Sequence, residues 1–238
     1  MAPLKSSYPQ NTPILRIEGN IHTLKMVSLP HNDQSFKERD YLCIKLKNME
    51  EDIRYYEVYE ENLQREILKM CTSLGMLDGE LLASDDIDQK WKEWAPEYIA
   101  EALPEVNSYP EFAIACAGYA GMAVAQWWDQ NWGRHHGSKY ESLHGPRGFD
   151  DMDEHIVQKI LGLPLDSSEA KQIMNILLCC AQKAVTFIQH EHIEAQTVKA
   201  FHIFARTVKV MYKTGAALQL RRLGYKFHKV NLGRNLPS

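Results

Sequence analysis

The stretch richest in reactive side chains runs Trp127-Trp128-Asp129-Gln130-Asn131-Trp132-Gly133-Arg134-His135-His136 and continues to Asp151. Three tryptophans close an uncharged run, and the residues after them include Lys139, Tyr140, His144 and Arg147. Gly133, Gly137 and Gly145 read as a loop, and long loops in compact domains carry function more often than regular elements do. Indole walls beside imidazole and guanidinium tips describe a ligand pocket. Its candidate residues are Trp128, Asp129, Trp132, Arg134, His135, His136, His144 and Arg147.

Two chemistries fit these residue types. Imidazole with carboxylate is a ligand set for zinc, iron or manganese. On that reading His135, His136, His144 and Asp150 hold a divalent metal, with Asp129 or Asp151 as further oxygen donors. Alternatively, Arg134, His135, His136, Lys139 and Arg147 hold an anion such as a phosphate through charge-assisted hydrogen bonds. A packing role competes with both. Gly133 suits the end of a helix, cations favour the residues around a helix C-terminus, and the acids from Asp150 to Glu154 favour the start of the next helix. No residue is singled out as catalytic.

A second cluster is His190-Glu191-His192 with Glu194 and His202. It reads as a metal site or as a polar patch at an interhelical turn. Glu141-x-x-His144 has the spacing of half a di-iron carboxylate motif, but the sequence has no second copy. Gly-x-Gly-x-x-Gly, the phosphate-binding Gly-Lys-Ser/Thr loop, Gly-x-Ser-x-Gly and His-Glu-x-x-His are all missing. Five cysteines (Cys43, Cys71, Cys116, Cys179, Cys180) form no Cys-x-x-Cys pair and sit mostly among apolar neighbours, as reduced core residues do. The adjacent Cys179 and Cys180 are a further redox candidate.

Charge is unevenly spread although the net is only −4. Residues 50–105 carry 16 acids against 5 bases, whereas residues 195–238 carry 9 bases and no acid. Nucleic-acid contact is one reading of the basic end, with Tyr212, Tyr225 and Phe227 available for base stacking. The favoured reading sets the basic helix beside the acidic ones, in the same chain or in a protein partner.

The elements that position these residues are helices. Met49, Ile53, Tyr56, Leu63, Ile67, Met70 and Leu74 recur at helical spacing, broken only at Glu60, and Gly75 offers a stop. That stripe faces either the core or a coiled-coil dimer seam. Ser84 caps a second helix carrying Trp91 and Trp94, and Pro96 either opens a new helix or kinks this one. Ser108-x-x-Glu111 with Pro110 resembles a capping box for a third helix ending at Gly133. Its Phe112–Trp128 run is uncharged but short for a membrane span and reads as a central buried helix. Ala113, Ala117, Gly121 and Ala125 give that helix a smooth ridge for close approach of a neighbour. A fourth helix is expected over Asp150–Leu161. A fifth opens at Asp166-Ser167 and buries Ile173, Ile176, Leu177, Cys180, Ala184, Phe187 and Ile188. A buried face then resumes with Val198, Phe201, Ala205, Val208 and Tyr212, and Gly215 and Gly224 bound a last short helix.

The expected architecture is therefore mainly all-α. It is a single helical bundle of five to seven helices over residues 36–224, an irregular or β-hairpin arm over 1–35, and a basic tail over 225–238. No basic n-region leads into an apolar h-region, so a cytoplasmic protein without membrane insertion is expected. The sequence alone leaves the function unknown. Its leading reading is a non-catalytic interaction or regulatory protein with a protein partner or a homo-oligomeric state. A ligand- or metal-dependent enzyme using residues 127–151 and nucleic-acid binding through the C-terminal end are the alternatives.

Overall fold

The computed structural model describes the backbone of residues 33–226 and the side chains of residues 51–226. The expected hairpin within residues 1–35 and most of the basic tail lie outside the described residues. Among those described there are six α-helices and no strand: α1 Asp33–Ser73, α2 Asp85–Glu105, α3 Pro110–His135, α4 Met152–His155, α5 Ser168–His190 and α6 Val198–Arg222. The chain divides into two compact units at Lys47/Asn48, and the helical bundle belongs to the second.

Helix α3 is the centre of the bundle. Every residue from Ala113 to Ala125 is buried, as a run without charge requires. Among the described residues no helix is long and apolar enough to cross a membrane. The expected smooth ridge is a contact surface. A Cβ placed on Gly121 would fall 2.0 Å from the Tyr212 carbonyl oxygen of α6. Gly118 lies against Leu177 of α5, where a Cβ would meet Cδ2 at 2.7 Å. Small side chains at these points let three helices share one core.

Around α3 the apolar stripes turn inward. On α1 Tyr56, Leu63 and Ile67 are buried, joined by Tyr59 and Cys71, so the stripe serves the core of its own chain. Ile53 and Leu74, expected on that stripe, are exposed. The helix ends as anticipated, with Gly75 at φ +71 and the Met76 amide closing on the Cys71 carbonyl at 2.9 Å. Helix α5 buries Ile173, Ile176, Leu177, Cys180 and Ala184, and its N-cap Ser167 accepts a hydrogen bond from the Ala170 amide at 3.1 Å. Buried polar groups find partners: Tyr98 donates to the Ala113 carbonyl at 2.6 Å and Tyr212 to the Ile87 carbonyl at 2.9 Å.

Several sequence expectations need correction. Pro96 does not open a new helix; both Pro96 and Pro104 lie inside α2. The Ser108 capping box does not form, because Tyr109 is the N-cap and the Ser108 amide turns back to the Glu105 carbonyl at 3.0 Å. Helix α3 breaks at Asn131, whose backbone is extended (φ −169, ψ 86). The segment from residue 150 to 161 is α-helical only over Met152–His155. A 3₁₀ turn, Phe149–Asp151, precedes it and a π turn, Ile156–Ile160, follows. Residues 191–197 separate α5 from α6. Gly215 does not bound a short helix: α6 runs through it, because Gly215 rests on the Gly118 backbone of α3. At the start of α6 the core phase is Ile203, Phe204, Thr207 and Val208, which leaves Val198 and Phe201 exposed.

Candidate functional site

The segment 127–151 is fastened down side chain by side chain. His135 stacks flat on Trp127, with centroids 5.4 Å apart and planes 2° from parallel. His136 turns its Nδ1 back to the Gly133 carbonyl, 3.0 Å away, and its ring stands 6.4 Å from that of Trp132. Trp128 donates through Nε1 to Asp86 at 3.2 Å and meets the edge of Tyr225. Asp129 accepts from the Tyr225 hydroxyl at 2.9 Å. Arg134 and Asp150 are exposed to solvent. Lys90, itself buried, donates to the His136 carbonyl and sits 3.4 Å from the Ser138 carbonyl, so a cation of α2 holds this loop.

The rest of the loop rests on α2 in the same way. Tyr140 is buried and donates to Glu101 Oε2 at 2.9 Å. Burial first, then the charge and hydrogen bond of Glu101, push the ionisation of that phenol far up, so it stays a neutral donor. His144 Nε2 lies 3.1 Å from the same carboxylate oxygen without meeting hydrogen-bond geometry. Asp151 is buried; its Oδ2 accepts from the Arg147 amide at 3.1 Å while the Arg147 side chain stands 3.6 Å off.

The structure therefore does not gather the candidate residues into one pocket: Trp128 reaches Asp86 at the start of α2, His144 lies against Glu101 near its end, and Arg134 is exposed. Among the described residues no three His, Cys, Asp or Glu side chains converge as ligands of one ion. His135, His136, His144 and Asp150 do not share a coordination point. In the second cluster Glu191 accepts from Tyr55, and the His202 ring lies 4.9 Å from that of the neighbouring Tyr56.

The basic helix α6 is matched within its own unit. Glu60 of α1 receives Arg206 at 2.6 Å and Lys209 at 2.5 Å. Lys213 meets Asp88 at 3.2 Å, Arg221 meets Asp78 at 3.1 Å, and Arg222 meets Glu169. Burial raises the Glu60 pKa, but hydrogen bonds from Lys209 and Arg206 and their charges outweigh it and hold the carboxyl below its ordinary range. The break at Glu60 in the α1 stripe is thus the acceptor for two α6 cations.

An apolar concavity lies elsewhere. A groove of about 600 Å³ opens between the C-terminal end of α2 and the α5–α6 turn. Leu103, Val106, Ile188, Ile193, Phe201 and Phe204 form much of its lining. Two other concavities, at residues 119–174 and 64–216, measure about 200 and 140 Å³. The groove wall has rigid supports. Thr197 caps α6, accepting from the Ala200 amide at 3.1 Å and donating to the Glu194 carbonyl at 2.8 Å. Pro104 has no N–H with which to close on the Ala100 carbonyl one turn earlier, and both residues line the groove. His192 (φ +49) and Gln196 (φ +62) hold left-handed backbone in the turn, a conformation that costs non-glycine residues energy and clusters at functional surfaces. Leu103 and Phe201 of the lining are exposed, and so is Val198, which follows the lining residue Thr197 and is 75% exposed. Sequence reasoning missed this surface because it assigned Val198 and Phe201 to the core. The available signal was that α6 begins with two apolar phases when only one can face inward.

No protein-family model matches the chain, and no curated protein or solved structure matches it.

Proposed function

We propose that this protein is a non-catalytic binding protein whose groove between α2 and the α5–α6 turn receives an apolar segment of a partner protein. The observation that carries this is that Leu103 and Phe201 of the groove lining are themselves exposed, with exposed Val198 next to the lining residue Thr197. A pocket for a small molecule buries most of its ligand and orients it with a few placed polar groups. Here apolar Leu103, Phe201 and Val198 stay exposed, so an occupant that covers all three reaches beyond the cavity. Contiguous exposed apolar surface of this kind marks association sites, and a central apolar anchor supplies most of the affinity of such contacts.

The test is selection of peptides from a displayed random library against the full chain, followed by affinity measurement on variants. Selected peptides are expected to share large apolar anchors and to lose at least about tenfold in affinity to Phe201→Asp and Leu103→Asp. Leu178→Asp, a control at an exposed apolar position on α5, should bind them unchanged. Binders indifferent to both groove variants would overturn the assignment, as would a groove that takes only small apolar dyes. Light scattering of the wild type and Phe201→Asp identifies the partner as a second copy if a concentration-dependent dimer disappears in the variant.

A further inference from the structure

Cys71 in the last turn of α1 and Cys180 in the middle of α5 face each other across the core, their sulfurs 3.6 Å apart although they are 109 positions apart in sequence. Both are fully buried, and both are free thiols. We propose that this pair is an oxidation site that closes to an intrachain disulfide when the protein meets a peroxide-class oxidant.

Three observations support it. The sulfurs are already in non-bonded contact, 3.6 Å apart, so an approach of about 1.5 Å brings them to bonding distance. The contact is a thiol–thiol hydrogen bond, and donation from Cys180 lowers the Cys71 pKa against the opposing effect of burial. Cys71 also has a route to solvent. It lies two residues before the end of α1, and Thr72, Ser73 and Leu74 beyond it are exposed, so fraying of one turn admits a small oxidant.

The chemistry balances in two steps. The Cys71 thiolate attacks one peroxide oxygen, breaking the O–O bond; the departing hydroxide takes the thiol's proton and leaves as water, and Cys71 becomes a sulfenic acid. Cys180 sulfur then attacks Cys71 sulfur, the S–O bond breaks, and the hydroxide leaves with the Cys180 proton as a second water. Two thiols lose two electrons and hydrogen peroxide gains them. Cys179, the neighbour of Cys180, is exposed and lies on the outer face of α5, so it is the internal control for unspecific surface oxidation.

The experiment is hydrogen peroxide treatment of the full chain, alkylation under denaturing conditions without reductant, and peptide mass mapping. A linked peptide pair containing Cys71 and Cys180 is expected, with Tm raised by on the order of 10 °C and restored by dithiothreitol. Cys179→Ser should leave both results intact, and Cys71→Ala should remove both. Full alkylation of Cys71 and Cys180 after treatment would overturn the proposal, and so would disulfides formed only through Cys43 or Cys179. The mapping on the wild type decides the matter even if Cys71→Ala fails to fold.

Discussion

Gly215 of α6 lies directly on the backbone of Gly118 of α3: a Cβ at position 215 would fall 1.9 Å from the Gly118 carbonyl oxygen. With Gly121 set against the Tyr212 carbonyl one turn further along, the two helices meet backbone to backbone over this stretch. Helix α6 tolerates a mid-helix glycine, which costs it about 1 kcal/mol of helix propensity, because the close approach buries the α3 run on that side.

Gly215→Ala should therefore be severe, because the obstructing atom is a carbonyl within a helix and cannot swing away. Overpacking of this kind costs about 3 kcal/mol or more. Gly137→Ala, where a Cβ meets nothing within 4 Å, should be nearly neutral. Urea denaturation of both variants checks the contrast; equal stability of the two would mean that α3 and α6 do not cross at Gly215.

The helical architecture is legible in the sequence because its signals are local and repeat. The uncharged run of α3, the Ser167 cap and the buried stripe of α5 all derive from spacing within one segment. Gly215 misleads for the opposite reason. A glycine after a periodic stretch looks like a stop, and only the α3 backbone, far away in the chain, reveals it as a crossing point. The chemistry-rich segment shows the same limit. Trp128, Asp129, His135 and Tyr140 are visible as residue types, but their partners Asp86, Tyr225, Trp127 and Glu101 are fixed by packing that no spacing rule encodes. Charge is more readable: the acidic 50–105 and basic 195–238 stretches invite mutual neutralisation, and Glu60, Asp78 and Asp88 do meet cations of α6.

The Glu60 cluster predicts a pH dependence. The folded pKa of Glu60 lies below its ordinary 4.5, so the folded state prefers the charged form. Its contribution is fully present above about pH 4.5, where the unfolded side chain is also ionised, and is lost as pH falls through the folded value. Glu60→Gln should lose about 1–2 kcal/mol at pH 7, since Arg206 and Lys209 keep some exposure and water screens them. Thermal unfolding of both proteins from pH 7 to pH 3 should show their curves converging below pH 4.5. A constant gap down to pH 3 would mean that Glu60 acts through packing alone.

Lys90 predicts how the 133–144 loop is held. Lys90 is 3% exposed, and its ammonium lies 2.7 Å from Glu93 and donates to the His136 carbonyl, with the Trp94 ring 5.2 Å away. Lys90→Met keeps the aliphatic stem and removes the charge, which leaves those carbonyls without their donor. A charge-assisted bond at a buried site contributes about 1.5–3 kcal/mol, so the variant should be less stable by that order. The loss should also be local. Hydrogen exchange of the His136 and Ser138 amides, which close onto Trp132 and His135 carbonyls at 2.8 and 2.9 Å, should accelerate about tenfold or more, while that of α3 residues 113–125 should not. Equal acceleration throughout α3 would instead make Lys90 a support of the whole core. Unchanged exchange at His136 would leave the stack of His135 on Trp127 as the contact that holds the loop.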